Sequence, residues 1–247
     1  MSCVQECILL RSGHHPLNFK SCALKLRHRV LPSRKVSYAV LNPGVEETGL
    51  EVFEAELGLT LPEEFKMLRR WHDGQAESEV TTEPGVFSLP FTPLAQVRDV
   101  WRSLRDTLRQ HPNTNTEVAA LDAQVSHPAR YIREVFLDPG RVPFCCTDDW
   151  NAVGIDLDPG PLGTPGQVIT FGQDEHDKYV LAGSLGEFID EYVRRLEQGR
   201  VRMYQPDGDQ FPDDPFMLEL QAASGEFVES VGFLVDLFPG FGVSPTP

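Results

Sequence analysis

The chain has 247 residues and a mass of 27.7 kDa, enough for one good hydrophobic core or one domain with appendages. With 40% apolar and 24% charged residues it is too apolar for a disordered chain, and no window approaches the ~18 unbroken apolar residues of a membrane-spanning helix. Its 22 Lys/Arg stand against 37 Asp/Glu, a net charge of −15, the opposite balance from a domain that grips nucleic acid backbones.

The charge is unevenly placed. Residues 1–35 carry Arg11, Lys20, Lys25, Arg27, Arg29, Arg34 and Lys35 against one acid, Glu6. This basic leader lacks the apolar run of a secretory signal and has no periodic apolar face. It reads as a disordered leader or a start placed too far upstream, with the true chain opening nearer Val30 or Val36. Three of the five cysteines lie in the leader, and the other two, Cys145 and Cys146, are adjacent and poorly placed to pair with each other. That usage fits a reducing, cytoplasmic setting.

From Val45 to Leu57, Leu50, Phe53 and Leu57 recur at helical spacing, with Gly58 as the stop. Pro62, Glu63 and Glu64 open a second helix, with Thr60 and Glu63 at capping-box spacing and Phe65, Leu68 and Trp71 as its buried stripe. Val86–Phe91 reads as a short strand. A third helix runs from Leu94 to about Leu108 on the stripe Leu94, Val97, Trp101, Leu104 and Leu108. Residues 110–128 read as a polar surface loop.

Strands are then expected at Tyr131–Phe136, Arg141–Cys146, Ala152–Leu157, Gln167–Phe171 and Lys178–Leu181. Asp138-Pro139-Gly140, Asp158-Pro159-Gly160 and residues 172–177 supply the turns, so the connections are short and the sheet antiparallel. Ser184 and Glu187 form a capping box ahead of a last helix bearing Leu185, Phe188, Ile189, Tyr192, Val193 and Leu196. After Val201 the chain turns acidic and proline-containing, with Phe227, Val231, Leu234 and Phe238 at the spacing of one further helix. The fold expected is α+β, an antiparallel sheet of four to six strands packed by helices. It divides into a leader (1–35), a domain (36–200) and a partly ordered acidic tail (201–247).

Several motifs suggest chemistry. Ala182-Gly183-Ser184-Leu185-Gly186 approaches a nucleophile elbow, but no histidine follows Ser184 to complete a triad, and a helix cap explains the serine. Cys145 and Cys146 point to opposite faces of a strand with nothing nearby to lower a thiol pKa. Cys3, Cys7, His14, His15 and Cys22 have zinc-binding atoms without a standard finger spacing. Gly160, Gly163 and Gly166 lack the Gly-Lys-Ser/Thr of a phosphate loop, and Pro159, Pro161 and Pro165 remove donors from it. The pair Trp71-His72 is read as core packing and a helix-end histidine.

Asp148, Asp149, Asp156 and Asp158 are placed around one hairpin beside Trp150, and Asp174 and Glu175 come from the next. Such carboxylates suit a divalent cation, a basic partner or plain solvation. No calcium-loop pattern is present, so no metal or cofactor is assigned. These seven residues are taken as the partner-binding surface, an aromatic anchor within a charged rim.

The order of segments resembles the Smi/Knr-type domain of the SUKH superfamily. The resemblance rests on Leu41-Asn42-Pro43-Gly44, on residues 53–65 ending in Leu61-Pro62-Glu63-Glu64-Phe65, and on His72-Asp73-Gly74. Further on it rests on Val142-Pro143-Phe144, Ile155-Asp156-Leu157-Asp158-Pro159-Gly160, the stretch 163–169, and Val180-Leu181-Ala182-Gly183-Ser184-Leu185. It spans about Val36 to Arg200 and implies an α+β fold without shared catalytic residues. Bacterial members neutralise toxins and fungal members act as scaffolds in cell-wall regulation. Two departures stand out: the glycine-rich turn usual before the Ile155 strand is here Asp148-Asp149-Trp150-Asn151, and Val142 replaces an aromatic. The function expected is a non-enzymatic immunity protein that holds a basic toxin domain against an acidic face. The alternative is an adaptor or regulatory scaffold of the cell-wall type.

Overall fold

The computed structural model describes residues 41–75, 87–147, 149–204, 217–228 and 233–242. The basic leader, Val86 and Asp148 lie outside them.

The chain enters through β1 (Leu41–Pro43), then α1 (Glu47–Leu57) and α2 (Glu63–Trp71), and returns in β2 (His72–Gln75), antiparallel to β1. Gly58 closes α1 in the left-handed conformation, as the sequence requires, and its N–H is bonded to the Glu54 carbonyl. The capping box expected at Thr60 does not form: Pro62 is the N-cap of α2, with no side-chain cap. Glu54 instead accepts from the Leu61 N–H at 2.7 Å. Gly74 has a φ of 75°, and a Cβ there would lie 2.4 Å from the Pro93 nitrogen, so the close approach of β2 to the next segment demands glycine.

Residues 87–90 form a turn rather than the expected strand, and only Phe91 bridges to Cys145. Then come α3 (Leu94–Gln110), α4 (Thr114–Leu121) and β3 (Val125–His127), where a polar loop was expected. α4 has no buried residue and β3 is three residues long, so neither carries an apolar period to reveal it.

Four antiparallel strands follow: β4 (Arg141–Cys146), β5 (Ala152–Asp156), β6 (Gln167–Phe171) and β7 (Asp177–Ala182). The five-stranded sheet has the order β3-β7-β6-β5-β4, with β3 parallel to β7 at one edge. The strand expected at Tyr131–Phe136 is irregular chain. Its carbonyls serve the sheet through side chains, since Gln167 donates to Tyr131 O at 3.0 Å and Arg141 to Arg133 O at 2.6 Å.

α5 (Leu185–Glu197) closes the domain and buries every apolar position of its expected stripe. Beyond it, β8 (Val201–Tyr204) and β9 (Met217–Leu220) form a hairpin, and a 3-10 turn covers Leu234–Leu237. That turn stands where a helix from Phe227 to Phe238 was expected, and residues 229–232 lie outside the description. The tail is no appendage: Val201, Leu218, Leu220, Leu234, Val235, Phe238 and Phe241 share one core with Phe53, Phe65, Phe144 and Phe188. The expected boundary after Arg200 is not a break in packing.

Candidate functional site

Alternation along β4, β5 and β6 gives the sheet two faces. Val142, Val153, Ile155 and Val168 point into the core. The opposite, outer face carries Arg141, Pro143, Cys146, Ala152, Asp156, Gln167 and Phe171, as the cross-strand pairs Arg141↔Asp156, Cys146↔Ala152, Asp156↔Gln167 and Ala152↔Phe171 show. A bulge between Pro143 and Cys145 lets Phe144 and Cys145 both enter the core while Cys146 turns outward.

Between this outer face and α3 lies a groove of about 680 Å³. Val100, Trp101 and Leu104 form one wall, Phe136 and Leu137 another, and Ala152 and Phe171 part of the floor. Trp101 is fixed by an indole N–H bond to Pro139 O at 2.9 Å. At the open end stands Trp150, 40% exposed and also lining the groove. Its φ is 63°, a left-handed conformation that a bulky side chain adopts at a cost. The turn that holds it is bonded from Thr147 N to Asn151 O (2.8 Å) and from Trp150 N to Thr147 O (3.1 Å). Asn151 ties this turn to the next, accepting from Asp174 N at 2.9 Å and donating to Asp174 Oδ2 at 3.0 Å. The two turns touch closely enough that a Cβ on Gly172 would lie 2.4 Å from Asn151 Oδ1.

Two buried ionic groups also line the groove. Asp138 accepts from Gly140 N through Oδ1 at 2.9 Å, while its Oδ2 has no hydrogen-bond partner and lies 3.7 Å from the Arg141 guanidinium. Arg141 donates to Val135 O and Arg133 O, and its Nε has no partner. Each residue is 3% exposed. Burial pushes the Arg141 pKa down, opposed by Asp138 and Asp156.

The acidic surface expected from sequence is divided by this geometry. Asp149, Trp150 and Asp174 come together at the end of the sheet formed by the β4–β5 and β6–β7 turns. Asp156 and Asp158 lie at the other end of β5, about 16 Å away for five residues of strand. Asp156 is 1% exposed, accepting from Gln167 Nε2 at 3.1 Å and from Asp158 N at 3.2 Å. Burial raises its pKa to about 6 against the pull of Arg141. Asp158 is ion-paired with Arg133. Glu175 is also 1% exposed: its carboxylate accepts from Leu234 N at 2.8 Å and anchors the tail, and burial raises its pKa to about 7. Asp156 and Glu175 are therefore structural: neither lines the groove, Asp156 has both carboxylate oxygens bonded within the fold, and Glu175 holds the tail.

The enzymatic alternatives also resolve into structure. Ser184 Oγ accepts from Glu187 N at 3.2 Å, and Glu187 accepts from Gly183 N at 3.0 Å, so the serine caps α5. Cys145 and Cys146 are both buried, and burial pushes both thiols up, Cys146 to about 11, which leaves them protonated. His72 Nδ1 donates to Asn42 O at 2.7 Å and its ring meets Trp71 edge-on. Among the described residues, no group of three or more His, Cys, Asp or Glu could hold a metal ion.

Sequence reasoning missed Asp138, Arg141, Phe136 and Phe171 as groove residues. The two-residue period of Gln167–Phe171 would have set Phe171 on the face opposite Val168. No local signal brings the irregular 133–138 segment to that face.

Comparison with known proteins agrees with this architecture. The model of the SMI1 / KNR4 family (SUKH-1) matches residues 44–191, more than half of the chain. Over 166 residues the chain is 30% identical to a cell wall biosynthesis/cell cycle regulator of Schizosaccharomyces pombe, covering 66% of this chain and 33% of that protein. It is 25% identical over 201 residues to a cell wall assembly regulator of Saccharomyces cerevisiae, covering 71% and 40%. With a glucan synthesis regulatory protein of Neurospora crassa it shares 28% over 188 residues, covering 65% and 35%. The chain thus spans a third to two fifths of the length of these relatives. They are fungal regulators, which favours the regulatory alternative over the expected bacterial immunity protein and lends no support to a toxin partner. On the matched residues and their preserved order, the chain belongs to the SMI1 / KNR4 family (SUKH-1).

Proposed function

We propose that the chain is a non-enzymatic protein-binding domain that works as a regulatory scaffold, of the kind suggested by its relatives' roles in cell-wall synthesis. The observation that carries this reading is the family match over residues 44–191, which includes the five-stranded sheet, together with the similarity to proteins named as regulators. Two features of the site support it. The side chains that could have been nucleophiles are a helix cap and two buried, protonated thiols. The groove presents an exposed indole beside apolar walls, the composition that contact surfaces favour. The net charge of −15 favours a partner with basic residues and would speed its encounter.

A chimera tests the proposal. In Schizosaccharomyces pombe the aligned region of the relative is replaced by this chain, and resistance of the cell wall to glucanase digestion is measured. The chimera should restore resistance lost when the region is deleted, and it should do so equally with Ser184→Ala or with Cys145→Ala, whose thiol faces the core and not the groove. A chimera no better than the deletion would overturn the scaffold reading. A chimera inactivated by Cys145→Ala without loss of folding would return attention to chemistry.

A further inference from the structure

The groove on the outer face carries three independent marks of a binding site. The first is Trp150. The turn between β4 and β5 requires a left-handed residue at this position, which glycine supplies without strain. This chain places its largest side chain there, partly exposed and against the groove. Local strain held at a surface indole calls for a use.

The second mark is the polar floor. Asp138 Oδ2 and Arg141 Nε are buried, lack hydrogen-bond partners, and belong to residues lining the groove. Asp138 Oδ2 is held only by long ion pairs, 3.7 Å to Arg141 and 3.9 Å to Arg133, and Arg141 Nε has no acceptor. Buried polar atoms are ordinarily hydrogen-bonded, so this unused acceptor and donor point to a ligand that brings one of each once the side chains shift toward the groove. A peptide main chain does so, its N–H to the carboxylate and its C=O to the guanidinium.

The third mark is the balance of apolar wall and charged rim. Val100, Leu104, Phe136 and Phe171 offer apolar surface. Asp149 and Asp174 stand exposed at the Trp150 end. The nearest arginines on α3 are occupied, Arg102 by Glu56 and Asp99 and Arg105 by Asp106.

We infer that this groove is a docking site for an extended peptide segment of a partner protein, apolar side chains inward and a lysine or arginine beside Asp149 and Asp174. The inference rests on the protein-binding reading and gives that reading its surface and its partner's chemistry. A volume of about 680 Å³ lies within the ~300–1,000 Å³ range of small-ligand sites, room for a few residues rather than a domain. Recognition is by main-chain amide and apolar anchors, with Trp150 closing over the segment.

The test uses the full chain as target for a random-peptide display library, followed by fluorescence anisotropy with the enriched peptides. Enriched sequences should pair apolar residues with a flanking Lys or Arg. Their affinity should fall at least ten-fold with Leu104→Asp and with Trp150→Gly. The glycine variant is the discriminating one: it removes the indole but relaxes the turn, so its Tm should stay within about 3 °C of wild type. A Trp150→Gly protein that binds normally, or one that loses its stability, overturns the inference. So does failure to enrich any peptide on the wild-type chain. Self-association that Leu104→Asp abolishes, seen by sedimentation, would assign the groove to a second copy and also overturn it. The yeast chimera separates the two proposals. Rescue by a Trp150→Gly chimera keeps the scaffold and discards the groove, whereas failure of the unmodified chimera discards the scaffold whatever the peptides do.

Discussion

On the inner face of the five-stranded sheet, Val142, Phe144, Val153, Ile155 and Val168 share a core with Leu185, Phe188 and Tyr192 of α5. On the outer face, Arg141, Pro143, Cys146, Ala152 and Phe171 look into a groove that α3 walls without filling. Every residue of β4 and β5 is buried, so burial does not distinguish the two faces. What distinguishes them is how their neighbours are satisfied. The inner face ends in interlocked rings, with Phe188 within 5.8 Å of the Phe87, Phe144, Phe238 and Phe241 centroids. The outer face holds a row of ionic and amide groups, Arg141, Asp156 and Gln167, with open hydrogen-bonding atoms at the Asp138–Arg141 pair. A sheet face can thus be shielded from water and still be made for recognition, when its polar atoms are not all partnered by the chain itself.

The largest expected effect comes from the inner face. Phe188→Ala removes an α5 ring that is 0% exposed and packs against both Phe144 of β4 and Phe238 of the tail, and should cost about 3–5 kcal/mol in urea unfolding. Phe171→Ala, on a half-buried ring at the groove, should cost about 1 kcal/mol or less, because water already reaches it. Equal losses at the two positions would mean that the groove is ordinary core and would break the contrast.

A middle-sized effect concerns pH. Asp156, in the outer-face row, and Glu175, beneath the tail, have pKa values raised by burial to about 6 and about 7 from ordinary values of 3.8 and 4.5. Well below pH 4 both states hold these protons and the groups are neutral in the balance. As pH rises, the unfolded chain ionises first and gains on the folded one. Stability from these groups should therefore fall between about pH 4 and pH 7, by at most about 1.4 kcal/mol per pH unit for each proton. Asp190, raised by burial and by Glu64, adds to the same fall at its lower end, while other shifted groups act mainly outside the window. Glu56, held at about 2 by Arg102 and Arg98, contributes fully above pH 4.5, and the penalty on Lys178, lowered to about 8, is relieved only above that pH. Urea unfolding at pH 5, 6 and 7 should show a decline that Asp156→Asn flattens at its lower end and Glu175→Gln at its upper end. Slopes unchanged by both substitutions would refute this assignment.

How far these regions were legible depended on whether a residue's job is done by its own segment. The stripes of α3 and α5, the strands at Arg141–Cys146 and Gln167–Phe171 and the α+β class follow from local period and turn chemistry, which act within a few residues. α4 and β3 escaped because one has no buried face and the other borrows its order from β7. Trp150 was visible as a departure from the usual glycine-rich turn. Asp156 and Glu175 read in sequence as part of an exposed partner-binding surface because what buries them lies elsewhere: Arg141 opposite Asp156, and Leu234, 59 residues beyond Glu175. The tail hid its role in the same way, since its prolines and acids surround a few apolar residues that are spent on the shared core.

The smallest effect belongs to a residue that serves neither face, Ser184. Its hydroxyl accepts one of the unpaired N–H groups at the start of α5, and Glu187 reaches back to Gly183 N, so the first turn is bonded from both sides. Leu185, Phe188 and Ile189 then hold the helix against the core whether or not the cap is made. Ser184→Ala should therefore cost about 1 kcal/mol and leave α5 in place. Peptide affinity at the groove should not change, because α3, not α5, forms its wall. A loss of affinity at unchanged stability would mean that the serine reaches the ligand, and the division of labour between the faces would have to be redrawn. A loss well above 2 kcal/mol would show instead that the cap, rather than the inner-face packing, decides whether α5 forms.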